Sequence, residues 1–158
     1  MYQEVLAAIG SRMDSKELSL EVQRVLFAVL GWSGKFDGPA GGALRVAARV
    51  VGDHDDILME ILQGFPAGRR PPSVSRYSEF LGDVGGRMDG GDWGAREQRD
   101  LLAALASSGK LAEPAATLLR VAAATVEGST SPLLQCLGQY LGDRQRRLEE
   151  AGSPCEVA

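Results

Sequence analysis

The sequence predicts an all-α protein built from two tandem small helical-bundle repeats of four to five helices each. The strongest sign is internal: residues 2–66 align with 77–141 without a gap at a shift of 75 residues, with about 25 identities. A second sign is the near absence of strand patterning. Aromatic residues make up only 6% of the chain, and Ala, Leu, Glu, Arg and Gln fill the long stretches, as helices prefer. The third is punctuation: Ser33-Gly34-Lys35 and its sister Ser108-Gly109-Lys110 read as inter-helix turns at the same place in the two copies. The predicted division is repeat 1 over 1–66, a linker over 67–76, repeat 2 over 77–150 and a polar tail over 151–158.

Each predicted helix follows from a local pattern. Tyr2, Val5, Leu6, Ile9 and Met13 fall at helical spacing, with Gly10 weakening the last turn. Asp14 or Ser15 is positioned to cap a second helix, whose apolar side is Val22, Val25, Leu26, Val29 and Leu30 and whose stop is Gly31. Ser33-Gly34-Lys35 reads as a turn, and Pro39 sits where a third helix can begin. Leu44, Val46, Ala47, Val50 and Val51 then form its body. Ile57, Leu58, Ile61, Leu62 and Phe65 make a fourth helix, ended by Pro66 and Pro71-Pro72. Copy two repeats the scheme, from Phe80, Leu81, Val84 and Met88 to Leu133, Leu137, Tyr140 and Leu141, with Ser108-Gly109-Lys110 as the matching turn. The tail is expected to stay helical through Leu148 and to fray after Gly152. The linker, Ala-Gly-Arg-Arg-Pro-Pro-Ser-Val-Ser-Arg, has the composition of a short, semi-stiff joint.

Composition narrows the function classes. A formal net charge of −4 gives no general attraction to nucleic acid or anionic membrane. The basic clusters Arg69-Arg70 and Arg144-Gln145-Arg146-Arg147 read as a linker and a solvated helix end. No apolar run is long enough to span a membrane. Cys136, on an apolar stripe, and Cys155, in a polar tail, read as a buried and a loose thiol. That suits a reducing compartment, so a cytoplasmic or nuclear location is expected.

A single histidine, His54, argues against histidine-based catalysis and metal binding, and Gly52-Asp53-His54-Asp55-Asp56 reads as an acid-rich helix start. The glycines do not follow strands, and no Gly-Lys-Ser/Thr loop or nucleophile elbow is present. The expectation is a non-enzyme with no cofactor and no metal.

Aligned, the copies share a Tyr-x-x-φ-Leu opening helix, a Leu-rich second helix and a Gly-Lys-Phe/Leu turn. A Leu/Val-rich third helix and an apolar closing helix follow. This pattern resembles harmonin-homology domains, such as those in the C-terminal region of the regulator of telomere elongation helicase, and the related paired amphipathic helix domains. The stretch Leu133–Arg146 is similar to the end of the former, and His54-Asp55-Asp56-Ile57-Leu58 through Phe65-Pro66-Ala67-Gly68 to the end of the latter. Asp55 stands where the latter family has proline. The resemblance implies a non-catalytic adaptor that takes amphipathic helical segments of partner proteins into grooves. Leu6, Ile9, Val25, Leu26 and Val29 would line one groove, and Leu81, Val84, Leu101, Leu102 and Leu105 the other. The same ten residues also read as core, and the copies could instead pack face to face; self-association is a further option.

A rival resemblance is to B-cell-lymphoma-type apoptosis regulators, on Val51-Gly52-Asp53 and Gly91-Asp92-Trp93-Gly94. There Ala95 precedes Arg96, and that fold carries no internal duplication. Trp32 and Trp93 occupy non-equivalent positions, each a place where one copy has diverged.

Overall fold

The computed structural model describes residues 2–15, 18–36, 38–53, 56–65, 73–91, 93–125 and 131–157. Among these the chain is all-helical, with no strand. The helices are α1 (Tyr2–Asp14), α2 (Leu20–Gly31), α3 (Gly38–Val50), α4 (Asp56–Gln63), α5 (Tyr77–Gly90), α6 (Ala95–Ala106), α7 (Ala115–Thr125) and α8 (Ser131–Val157). The bounds of α2 and α6 differ by 75 residues at both ends, the shift read from the sequence. The inter-helix turns also match. Ser33 Oγ donates to Leu30 O at 2.7 Å and accepts from Lys35 N–H at 3.1 Å, while Ser108 Oγ donates to Leu105 O at 2.8 Å and accepts from Lys110 N–H at 3.1 Å. Gly34 and Gly109 supply the left-handed residue of each turn, with φ of 74° and 73°.

The equivalent helices pack on one another across the two halves. The most extensive helix contact is α1 with α5, and α3 meets α7. The fourth helices cross over, α4 to α7 and α8 to α3. One apolar cluster therefore draws on both halves, from Leu6, Leu26 and Leu44 to Leu81, Leu101 and Leu119, all 0% exposed.

The α1–α5 contact explains helical glycines that weaken the local helix pattern. A Cβ on Gly10 would lie 2.3 Å from Tyr77 O, and one on Gly85 would lie 2.5 Å from Gln3 Cα. Only hydrogen fits at these two equivalent positions, so the backbones touch. The helical cost of glycine, roughly 1 kcal/mol each, is accepted for that close approach.

The same contact redirects a cap. Asp14 is expected from the sequence to cap the second helix, yet Ser19 does so, its Oγ accepting from Val22 N–H at 3.2 Å. Asp14 instead accepts from the N–H groups of Tyr77 and Ser78 at the start of α5, at 2.7 and 3.0 Å. Its equivalent, Asp89, accepts from Tyr2 and Gln3 N–H at the start of α1, both at 3.0 Å. Each carboxylate thus satisfies orphan donors of the other half's first helix. Asp14 is held below its ordinary pKa chiefly by the Ser78 N–H. Asp89 is lowered to about 2, by the N-terminal amino group first and then by the Gln3 and Tyr2 N–H groups.

Further polar ties cross the halves. Ala112 N–H donates to Oε1 of Gln23, a side chain only 4% exposed, at 2.8 Å. Trp93 Nε1–H donates to Lys35 O at 2.6 Å while its ring meets Phe36 edge-on, with centroids 5.4 Å apart. Arg144 pairs with Asp53, so part of the C-terminal basic cluster serves an ion pair.

Helix α8 continues to Val157, past the point at which the sequence predicts fraying. Among the described residues, no helix is long and apolar enough to cross a membrane. His54, Pro66, the 67–72 part of the linker and the side chain of Cys155 lie outside the described residues.

Candidate functional site

Of the ten residues expected to line grooves, eight are interior. Leu6, Ile9, Leu26, Leu81, Val84, Leu101, Leu102 and Leu105 are at most 7% exposed and belong to the shared core. The helix faces carrying them are covered by α1–α5, α2–α3 and α6–α7 packing. Val25 and Val29 lie elsewhere: Val25 is 48% exposed and Val29 half-buried.

Those two belong to a stripe on the outer side of α2. Val22, Val25, Val29 and Trp32 fall at i, i+3, i+7 and i+10, which brings them onto one helical face. Trp32, at the C-cap of α2, is 61% exposed. The equivalent positions on α6 are Glu97, Asp100, Ala104 and Ser107. Ala104, the counterpart of Val29, is buried, so the contrast between the two faces lies at Val25 and Trp32 against Asp100 and Ser107. Within the stripe, Val25 and Trp32 are the exposed members, Val29 is half-buried, and Val22 packs against the core.

Trp32 also lines a groove of ≈ 270 Å³ with Gly42, Arg45, Val46, Arg49, Leu137, Gly138 and Leu141. Its walls are the end of α2, the outer side of α3 and the start of α8. Ridges that would fill the equivalent place are missing here: Gly42 and Gly138 stand where the other half has Thr117 and Gln63. Arg45 is seated against the C-terminal end of α2, its Nη1 donating to Gly31 O at 2.8 Å. Gly31 is required by that seat, because a Cβ there would lie 2.9 Å from Arg45 Cγ. The volume suits one or two apolar anchor side chains better than a whole cofactor, given that ligand sites run to roughly 300–1,000 Å³.

A second groove, ≈ 460 Å³, lies between α4 and α8 and is lined by Ile57, Ile61, Cys136, Gln139, Tyr140, Asp143 and Arg147. Ile61 and Cys136 are equivalent positions, so this groove straddles the relation between the halves. Cys136 is partly exposed here and not the buried thiol expected from its stripe.

Sequence reasoning singled out Trp32 as non-equivalent but did not reach Arg45, Arg49 or the glycines beside them. For Arg49, Gly31 and Gly42 a signal was present in the aligned copies, as differences from Ala124, Ala106 and Thr117, but it is weaker than apolar periodicity; Arg45 matches Arg120 and gave none. No protein-family model, no curated protein and no solved structure matches the chain.

Proposed function

We propose that this chain is a non-catalytic interaction module that holds a helical segment of a partner protein along the outer face of α2. An apolar anchor of that segment enters the groove between α2, α3 and α8. The observation that carries the reading is the contrast between Val22, Val25, Val29 and Trp32 on α2 and Glu97, Asp100, Ala104 and Ser107 on α6. The α6 positions act as an internal reference: Asp100 and Ser107 stand where α2 has the exposed Val25 and Trp32, so packing does not demand apolar side chains at those two places. Helix-in-groove recognition uses anchors at i, i+3/i+4 and i+7, the spacing that the α2 stripe itself presents. Grip through the two sets of five residues expected from the sequence gives way to one site, because eight of those ten are interior.

The test uses substitutions that the fold already carries at equivalent positions. A library of displayed helical peptides is selected against the full chain, and selected peptides are measured by fluorescence anisotropy. The Val25→Asp/Trp32→Ser double variant should lose about ten-fold or more in affinity, as loss of central apolar anchors does. Its thermal midpoint should stay near that of the parent. Selected peptides that bind the double variant equally well would sink the proposal.

A further inference from the structure

We infer that the helical segment taken up on this face is acidic, with two carboxylates one turn apart that pair with Arg45 and Arg49. The inference rests on the docking reading above and adds the chemistry of the partner.

Three observations point to it. The groove lining contains two charged side chains, both of them exposed arginines, in a chain whose formal net charge is −4. Positive charge is therefore concentrated here against the balance of the molecule. The two arginines lie at i and i+4 on α3, so their Cβ atoms are about 6 Å apart and can address groups one helical turn apart on a neighbouring helix.

The arrangement is also particular to one half. Arg49 has Ala124 as its equivalent. Arg45 has Arg120, but Gly31, which clears the seat for Arg45, is replaced there by Ala106. Cation, seat and apolar groove thus differ together from the other half, alongside Trp32 in place of Ser107.

The Gly31 carbonyl occupies one donor of Arg45 and fixes its direction, leaving the rest of the guanidinium fork for a carboxylate. A purely apolar partner would leave both guanidinium groups desolvated at the rim of a buried anchor, which is unfavourable. A basic partner would be repelled.

The test sequences the peptides selected on the full chain, then varies charge in one of them. Glu and Asp should be enriched over the unselected library. Replacing the two acidic residues by Lys should weaken binding about ten-fold or more, and replacing them by Gln should give an intermediate loss. Arg49→Glu, which leaves one positive and one negative residue on the face, should erase the preference, so that the Lys and Glu peptides bind it about equally. Affinity of the Glu peptide should also fall as salt rises.

Peptides that need Trp32 and Val25 yet show no acidic excess and no charge dependence would overturn this inference and leave the docking reading standing. Failure to select any peptide sensitive to Val25→Asp/Trp32→Ser would overturn the docking reading itself. A concentration-dependent dimer in sedimentation, abolished by Trp32→Ser, would show that a second copy fills the face and would overturn the acidic-segment assignment.

Discussion

The outer face formed by α1 and α2 and its counterpart formed by α5 and α6 have the same backbone setting and opposite chemistry. On the first, Val5 is 37% exposed and Val25 48% exposed. On the second, a shallow groove of ≈ 140 Å³ is lined by Phe80, Asp83, Val84, Arg87, Glu97 and Asp100, and Arg87 reaches Glu97 at 3.6 Å. Beneath these faces the interior barely differs. Leu6 and Leu81, Met13 and Met88, and Leu26 and Leu101 are all fully buried pairs at the 75-residue shift. The contrast separates two demands on one sequence: packing holds the inner positions alike, and the outer positions are free to differ.

The largest expected effect comes from dividing the halves. Because α1 packs on α5, α3 on α7 and the fourth helices cross over, each half's core, begun by α2 on α3 or α6 on α7, is completed by the other half. Residues 1–70 and 71–158, expressed apart, should show no cooperative thermal transition by circular dichroism at low concentration, and mixing them should restore one. Independent melting of each half would break the interleaved picture.

A smaller effect tests whether the interior is equivalent in both halves. Gly10→Ala and Gly85→Ala should each destabilise by about 1–3 kcal/mol, because each methyl meets backbone atoms of the facing helix. Gly86→Ala is the control, since its Cβ would have only the end of the Gln3 side chain near it, at 3.6 Å. It should be neutral or stabilise by about 0.5–1 kcal/mol through helix propensity. Urea unfolding of the three variants decides the matter, and equal outcomes at positions 85 and 86 would refute the contact argument.

The smallest effect is that of acid. Asp14 and Asp89 both have pKa values lowered on folding, so they contribute stability that is complete above the ordinary carboxylate range, near 3.8. That contribution is lost as pH falls through the folded values, which for Asp89 means towards about 2. Asp14→Asn/Asp89→Asn should flatten the fall in stability between pH 4 and 2 relative to the parent. An unchanged slope would mean that the reciprocal caps contribute nothing.

Much of the fold was legible in the chain. Ser33-Gly34-Lys35 and Ser108-Gly109-Lys110 marked turns, and the apolar spacing from Val22 to Leu30 marked a helix, because turn chemistry and helical periodicity act over a few residues. Less of the site was legible. A stripe such as Val22, Leu26 and Val29 contains both a core side and an outer side, and periodicity alone does not say how wide the covered arc is. Leu26 went inside and Val25 stayed out because α3 covers only one side of α2.

By itself the sequence determined the all-α class, the internal match at a shift of 75 residues and the approximate place of each helix, since these follow from local propensity, capping and repeated pattern. Only the tertiary structure decided which helices pair. Gly10 and Gly85 read locally as weak points; they become a contact only when the backbones of α1 and α5, far apart in sequence, approach within van der Waals distance. Asp14 likewise reads as a local cap, but α5 presents free N–H groups that its carboxylate accepts, while Ser19 caps α2. Such long-range choices depend on the free energy of the whole packed core, which no window of neighbouring residues contains.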